Sequence, residues 1–236
     1  MEEPVFPMRI NKYLAYMKHT TRRGADELIT QKKVFINGKH AVLGDKVNEG
    51  DSVEVRFSGK HKPNVYFVFN KPKGTVTDIA QNHSEQEIKH IVALKNLFPI
   101  ARLDKESHGL TILTSDDRIT ENLLNSAPKC EKEYVVTTKT KLRDSFKLHM
   151  EKGVQIESDM TAPCKVQILG DNKFKIVLKE EKRNQIRRMC VALHQEAVDI
   201  ERVRIMNIKL GNLNENGHRK IEGDELADFL HQLDLG

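Results

Sequence analysis

One stretch concentrates groups able to do chemistry: Ala101-Arg102-Leu103-Asp104-Lys105-Glu106-Ser107-His108-Gly109-Leu110. Apolar runs that read as strands bound it, Leu97-Phe98-Pro99-Ile100 before and Leu110-Thr111-Ile112-Leu113-Thr114 after. A polar loop between rigid strand ends is a common place to hold a reactive group. Asp-x-x-Ser-x-Gly is also ordinary turn composition, with glycine supplying backbone freedom, and on composition alone the acidic-turn reading leads. Glycoside hydrolysis, one chemistry an acidic loop could serve, would need a second cooperating carboxylate. Glu106 is near in sequence, but nothing there places it opposite Asp104.

Two other segments carry candidate groups. Glu131-Lys132-Glu133-Tyr134-Val135-Val136-Thr137 reads as a strand, and Tyr134 offers a flat ring with a polar handle, as a half-buried sheet tyrosine also would. Farther on, Ile186, Met189, Cys190 and Leu193 form a helical apolar stripe. At about 100° per residue, Arg187 flanks that stripe and can turn into a cleft, while Arg188 points toward solvent or phosphate. A basic helix face exposed to water would look the same.

Composition narrows the classes. A chain of 236 residues suits one large domain or two smaller ones. The formal net charge of +5 and pI near 9.0 suit a polyanionic partner, although a modest excess spread over a surface is also ordinary. No apolar run is long enough to span a membrane, and Met1-Glu2-Glu3-Pro4 lacks a signal pattern. Cys130, Cys164 and Cys190 are far apart and odd in number, which suits a reduced, cytoplasmic protein. Phosphate-loop, dinucleotide and H-E-x-x-H motifs are absent.

The elements that must position these groups fall into two modules. In the first, Ile10, Tyr13, Leu14 and Met17 mark one helix face, and Thr21 is the expected N-cap of a second helix with Ala25, Leu28 and Ile29. Arg22 and Arg23 in its first turn oppose the helix dipole at a cost of about 0.3–1 kcal/mol each. Asn37-Gly38 after Val34-Phe35-Ile36 predicts a tight hairpin, and Val53-Glu54-Val55-Arg56-Phe57 a closing strand. Ser58-Gly59-Lys60-His61-Lys62-Pro63 reads as a linker.

In the second module, Val65–Phe69 is an apolar strand running into Asn70-Lys71-Pro72-Lys73-Gly74. A short helix is expected within Gln81 to Leu97, around Ile88, Ile91 and Val92. A second is expected around Ile119, Leu123 and Leu124, ending at Asn125-Ser126-Ala127-Pro128. A helix over Lys141–Glu151 follows, using Leu142, Phe146 and Met150, then a hairpin through Gly170-Asp171-Asn172. A long strand over Val198–Leu210 and a capped helix over Asp224–Leu233 close the chain. Strands and helices interleave without a strict βαβ rhythm, so the fold class is α+β with a mainly antiparallel mixed sheet.

In order, these segments resemble known motifs. Arg102, Leu103, Asp104, Ser107, Gly109 and Leu110 match the pseudouridine synthase signature Gly-Arg-Leu-Asp, two residues, Thr or Ser, one residue, Gly-Leu. Ala101 stands where that pattern has glycine. Asn70-Lys71-Pro72-Lys73-Gly74, Lys132-Glu133-Tyr134 and Gln185-Ile186-Arg187-Arg188-Met189 resemble the family's other motifs, although Arg183-Asn184 inverts the usual Asn-Arg. Arg9–Leu14, Thr21–Asp26 and Val34–Lys39 resemble the αL RNA-binding module shared with a small-subunit ribosomal protein, with Gly24 where an acid often closes a capping box. The chain is thus identified as a member of the bacterial RsuA family, similar to its RluF-like large-subunit enzymes.

That resemblance implies an αL module over 8–57, a linker at 58–63 and a catalytic domain over 64–236. It implies cofactor-free isomerisation of uridine to pseudouridine in RNA. Asp104 would be the essential carboxylate, attacking ribose C1′ or taking a proton from C2′. Arg187 would pair with Asp104, and Tyr134 would stack on the base. Arg102 would fill the space of a flipped base or hold a flanking phosphate. Arg9, Lys12, Arg22, Arg23, Lys39 and Arg188 would meet RNA phosphates. The expected protein is a cytoplasmic monomer without membrane contact, acting on 23S rRNA, with small-subunit rRNA or a tRNA anticodon stem as alternatives. A non-catalytic RNA-binding or ribosome-assembly protein is the other class.

Overall fold

The computed structural model describes residues 5–17, 20–56, 63–75, 97–125 and 130–235. The linker through Lys62, the segment from Gln81 through Lys95 and the stop at Ser126-Ala127-Pro128 lie outside the described residues, as does Phe57. The chain divides into two compact units, Met1–Asn64 with Asp116–Glu121, and Val65–Ser115 with Asn122–Gly236.

The first unit begins with β1 (Met8–Arg9), α1 (Ile10–Tyr16) and α2 (Arg22–Thr30). Ile10 and Leu14, four apart on one face of α1, are buried, whereas Met17 falls beyond the helix end and is 46% exposed. Thr21 caps α2, its Oγ1 accepting from the Gly24 backbone N at 3.1 Å. Four short strands follow: β2 (Val34–Ile36), β3 (Lys39–His40), β4 (Lys46–Val47) and β5 (Val53–Val55). Asn37 and Gly38 both take positive φ (49° and 77°) between paired Ile36 and Lys39, the two-residue turn that Asn-Gly favours. Ile10, Leu14, Ala25, Ile29, Val34, Ala41 and Val47 form the core. Arg9, Lys12, Arg22, Arg23 and Lys39 are all exposed.

The second unit opens with β6 (Tyr66–Lys71), β7 (Phe98–Ile100) and β8 (His108–Thr114). Along the chain then come α3 (Arg118–Asn125), whose residues through Glu121 are assigned to the first unit, and in the second unit β9 (Lys132–Thr138), α4 (Phe146–Glu151) and the small hairpin β10 (Gln155–Ile156) and β11 (Asp159–Met160). The hairpin β12 (Lys165–Gly170) and β13 (Lys173–Leu178) precedes α5 (Gln185–Ala192), β14 (Ala197–Ile205), β15 (Ile208–Lys209), β16 (His218–Lys220) and α6 (Gly223–Gln232). The main sheet runs β12-β13-β9-β14-β8-β6-β16, with β7 added on β8 and β15 on β14. Its described pairings are antiparallel except β14 on β8, so the sheet is mixed and mainly antiparallel. Phe146, Met150, Met189 and Cys190 of α4 and α5 pack on Val136, Phe174 and Ile176, and Phe146 meets Phe174 edge to face at 4.9 Å.

Three elements depart from the sequence reading. The helix expected over Lys141–Glu151 begins only at Phe146, because the Leu142 backbone N donates to Asp171 O at 2.7 Å and ties that segment to the β12–β13 turn. The strand expected over Val198–Leu210 breaks at Met206-Asn207, where Met206 takes φ 51° and β15 folds back on β14. The last helix has Glu222 at its N-cap without a side-chain cap bond, and Asp224 and Glu225 face its dipole instead.

Candidate active site

The Asp104 loop connects β7 to β8, the strand paired with β6 and β14. Its half-buried carboxylate accepts twice from Ser107, from the backbone N at 2.7 Å and from Oγ at 2.9 Å. Ser107 is fully buried, so the bonds that make this an acidic turn also fix the carboxylate's orientation.

Two buried cations hold the loop from behind, with no ion-pair partner among the described residues. Arg202 of β14 donates Nε to Leu110 O at 2.7 Å, Nη1 to Arg102 O at 3.2 Å and Nη2 to Ala101 O. One guanidinium thereby satisfies carbonyls at both ends of the loop. Lys71, at the end of β6, donates Nζ to Pro72 O at 2.9 Å, Thr75 O at 2.8 Å and Lys105 O at 3.4 Å. Burial pushes the Lys71 ammonium down to about 8; the Asp104 carboxylate pulls it back up, and Arg202 pushes it lower.

Backbone conformation completes the frame. Ala101 stands in the left-handed region at φ 53°, which costs a residue with a Cβ about 1–2 kcal/mol. Gly109 has φ 101° beside the parallel partner Arg202, and a Cβ there would lie 2.4 Å from Arg202 O. Only glycine lets β14 approach this closely. At the edge of the frame, Asp199 accepts from Lys73 and meets His108 Nε2 at 3.1 Å. Burial alone would raise the Asp199 carboxyl, but its bonds to Lys73 and His108 outweigh this and lower it.

In front of Asp104 opens a cavity of about 590 Å³. The loop supplies Arg102 to Asp104, Lys105 and Ser107, β9 supplies Tyr134, and the segment from Leu178 to Arg187 closes the far wall. Tyr134 is 8% exposed, in register with Ile176 and Arg202. Glu180 Oε1 accepts from Gln185 Nε2 at 2.7 Å, and Glu181 pairs with the buried Lys132 at 2.8 Å.

Asp104, Tyr134, Arg187 and Arg102 thus come to one cavity. The Arg187 guanidinium, however, is not bonded to Asp104. Its Nη1 donates to Ala197 O at 2.9 Å and its Nη2 to Glu106 O at 3.1 Å, bracing the loop two residues beyond the carboxylate. Arg188 faces away from the cavity, as its helical phase predicts, but pairs with Glu157 at 2.8 Å. Lys71, Ser107 and Arg202 are the site residues that sequence reasoning missed. The signal for Arg202 is its inward position on a strand whose other buried residues include Ile200 and Ile205. Burial pushes the Cys164 and Cys190 thiols up to about 12, protonated at neutral pH and unsuited to thiolate chemistry. Among the described residues no helix is long and apolar enough to cross a membrane, and no cluster of metal-ligating side chains occurs.

A carboxylate beside a tyrosine ring, in a basic-lined cavity with loops in this order, is the arrangement that comparison with known proteins can decide. The family model for RNA pseudouridylate synthase matches residues 65–192, more than half of the chain, and the S4 domain model matches residues 8–53. The chain belongs to the RNA pseudouridine synthase family. As a member it is an isomerase that converts uridine to pseudouridine in RNA. The synthase is 35% identical over 235 residues to the dual-specificity RNA pseudouridine synthase RluF of Escherichia coli O6:H1, covering 98% of this chain and 81% of that one. It is 29% identical to the ribosomal large subunit pseudouridine synthase B of Bacillus subtilis, over 97% and 98% of the two chains. A solved structure described as a pseudouridylate synthase superposes with a TM-score of 0.68 at 25% identity, covering 96% of this chain and 99% of the other.

Proposed function

We propose that this synthase modifies a uridine of large-subunit (23S) ribosomal RNA, with Asp104 as its essential carboxylate. The observation that carries the reading is the Asp104 carboxylate, oriented by Ser107 and facing a cavity of about 590 Å³ beside Tyr134. A cavity of that size falls in the range of about 300–1,000 Å³ that suits a small molecule, so it suits one extruded nucleoside rather than a duplex. The target base therefore flips out of its stack, with Arg102 filling the vacated space or holding the flanking phosphate.

Ionised Asp104 then acts in one of two ways. It attacks ribose C1′, displacing uracil, or removes the C2′ proton so that uracil leaves and a glycal-like intermediate forms. In either route the detached uracil turns against Tyr134 and rejoins C1′ through C5: in the first the Asp104–C1′ ester bond breaks as the C–C bond forms, in the second Asp104 returns the proton to C2′, and in both the C5 proton is then lost and N1 is protonated. Atoms balance without oxidant or hydrolysis. Arg187 braces the loop at Glu106 O and is the candidate to move onto Asp104 during turnover.

In this reading residues 8–57 form the RNA-binding domain, 58–63 the linker and 64–236 the catalytic domain. Arg9, Lys12, Arg22, Arg23 and Lys39 supply the phosphate contacts, whereas Arg188, for which the sequence suggested the same role, is held by Glu157 and is not assigned one. The protein works as a cytoplasmic monomer. The dual-specificity name of the RluF relatives is compatible with a second RNA, for which a tRNA is the candidate.

The test is pseudouridine mapping on a 23S transcript incubated with wild type and with Asp104→Asn, each checked for folding. Wild type should modify one site and Asp104→Asn none, while both bind the RNA. Turnover near wild type in the variant would remove Asp104 from the mechanism.

A further inference from the structure

The inverted pair Arg183-Asn184 has a local cause. The residue that enters α5 takes φ 50° and ψ 33°, the left-handed region, which asparagine adopts far more readily than arginine. Asparagine at this corner leaves arginine one residue upstream, exposed on the cavity wall.

The other cations of that wall are already engaged. Arg187 is bonded to Ala197 O and Glu106 O. Lys182 pairs with Asp159 at 3.4 Å; Arg188, which does not line the cavity, pairs with Glu157 at 2.8 Å. Exposed Lys105 on the Asp104 loop and exposed Arg183 on the segment leading into α5 both line the cavity, and their side chains make no hydrogen bond or ion pair to the described residues. The wall's two glutamates do not compete for them: Glu180 is taken by the Ala162 backbone N and Gln185, and Glu181 by Lys132. The Arg183 corner is also fixed in place, because Gln185 Oε1 accepts from the Lys182 backbone N at 3.0 Å.

We propose that Arg183 and Lys105 form a phosphate-binding mouth to the cavity, holding the RNA backbone on either side of the nucleotide whose base enters. The inference rests on the RNA-modifying reading above and assigns it two ligands. Arg188, the phosphate contact expected from sequence, is replaced in that role by Arg183.

The test is binding of a 23S transcript at several salt concentrations, with pseudouridine formation measured alongside. Arg183→Gln and Lys105→Gln should each weaken binding about fivefold at about 0.15 M salt, because one phosphate contact scales as salt to the power of about −0.9. Each should also lower the log–log salt slope by about 0.7–0.9. Arg183→Lys should keep most of the affinity, and Arg188→Gln should change neither quantity. The double variant Arg183→Asn with Asn184→Arg, which restores the usual order, should not recover binding. An unchanged slope in Arg183→Gln, an equal loss in Arg188→Gln, or full recovery in the double variant would overturn the proposal. Wild type that binds the transcript but forms no pseudouridine would instead defeat the functional reading, while the slopes still decide this one.

Discussion

Gly109→Ala tests whether the Asp104 loop depends on the close approach of β14, and Gly74→Ala is its control. Both glycines have positive φ, 101° and 80°. At Gly74 no described atom lies within 4 Å of an added Cβ; at Gly109 the Cβ would meet Arg202 O at 2.4 Å and Arg202 N at 2.9 Å. Both contacts are backbone atoms of a paired strand and cannot rotate away. Each alanine therefore costs about 1–2 kcal/mol for the left-handed conformation. Gly109→Ala adds about 1–3 kcal/mol of overpacking. Urea unfolding followed by circular dichroism should show the larger loss at Gly109, with turnover on the RNA falling sharply, and Gly74→Ala should retain most of its turnover. Equal destabilisation of the two variants would refute the close-packing argument, and normal turnover in Gly109→Ala would separate the loop's position from catalysis.

Arg202→Met leaves the carbonyls of Ala101, Arg102 and Leu110 without their donor. At about 1–3 kcal/mol for each unsatisfied buried group, partly offset by removing a buried charge, it should destabilise by about 2–5 kcal/mol; a loss too small to measure would show that the clamp is dispensable. Arg187→Lys should reduce turnover more than Arg188→Lys, since one ammonium cannot span Ala197 O and Glu106 O as the fork does. Equal losses would remove the brace from the account. Lys71 gives a pH signature. Its folded value near 8 lies below the ordinary 10.5, so the unfolded chain binds more protons between them, and the Lys71 contribution to stability rises as pH goes from about 8 toward 10.5. Unfolding midpoints across that range should rise more steeply in wild type than in Lys71→Met, and parallel curves would contradict the assignment.

Much of this architecture was legible because local chemistry and tertiary structure agree. Asn37-Gly38 makes the turn its residue types demand, Thr21 caps the helix it precedes, and Leu110–Thr114 lies within a buried central strand. Legibility failed where a distant segment overrides local preference. The Leu142 backbone is drawn to Asp171, so a helical pattern starts late. Met206-Asn207 turns a β-rich run back on itself without glycine or proline to announce it. In the site, residue types and order assembled Asp104, Tyr134 and Arg187 in one cavity, but hydrogen-bond partners cannot be read from helical phase. Arg187 has its bonds on carbonyls, and the main support of the loop comes from Arg202, a hundred residues beyond it.

That separation has a consequence for the order in which the enzyme comes into being. The loop is written near the middle of the chain, yet the guanidinium that gathers its carbonyls arrives only with β14. A nascent polypeptide ending before Ala197 already contains Asp104, Tyr134 and Arg187, but neither the parallel strand beside Gly109 nor the clamp. Contacts of such long sequence separation form late and slowly. Competence therefore awaits the last part of translation, and a product terminated before β14 would carry every reactive group without the scaffold that aligns them.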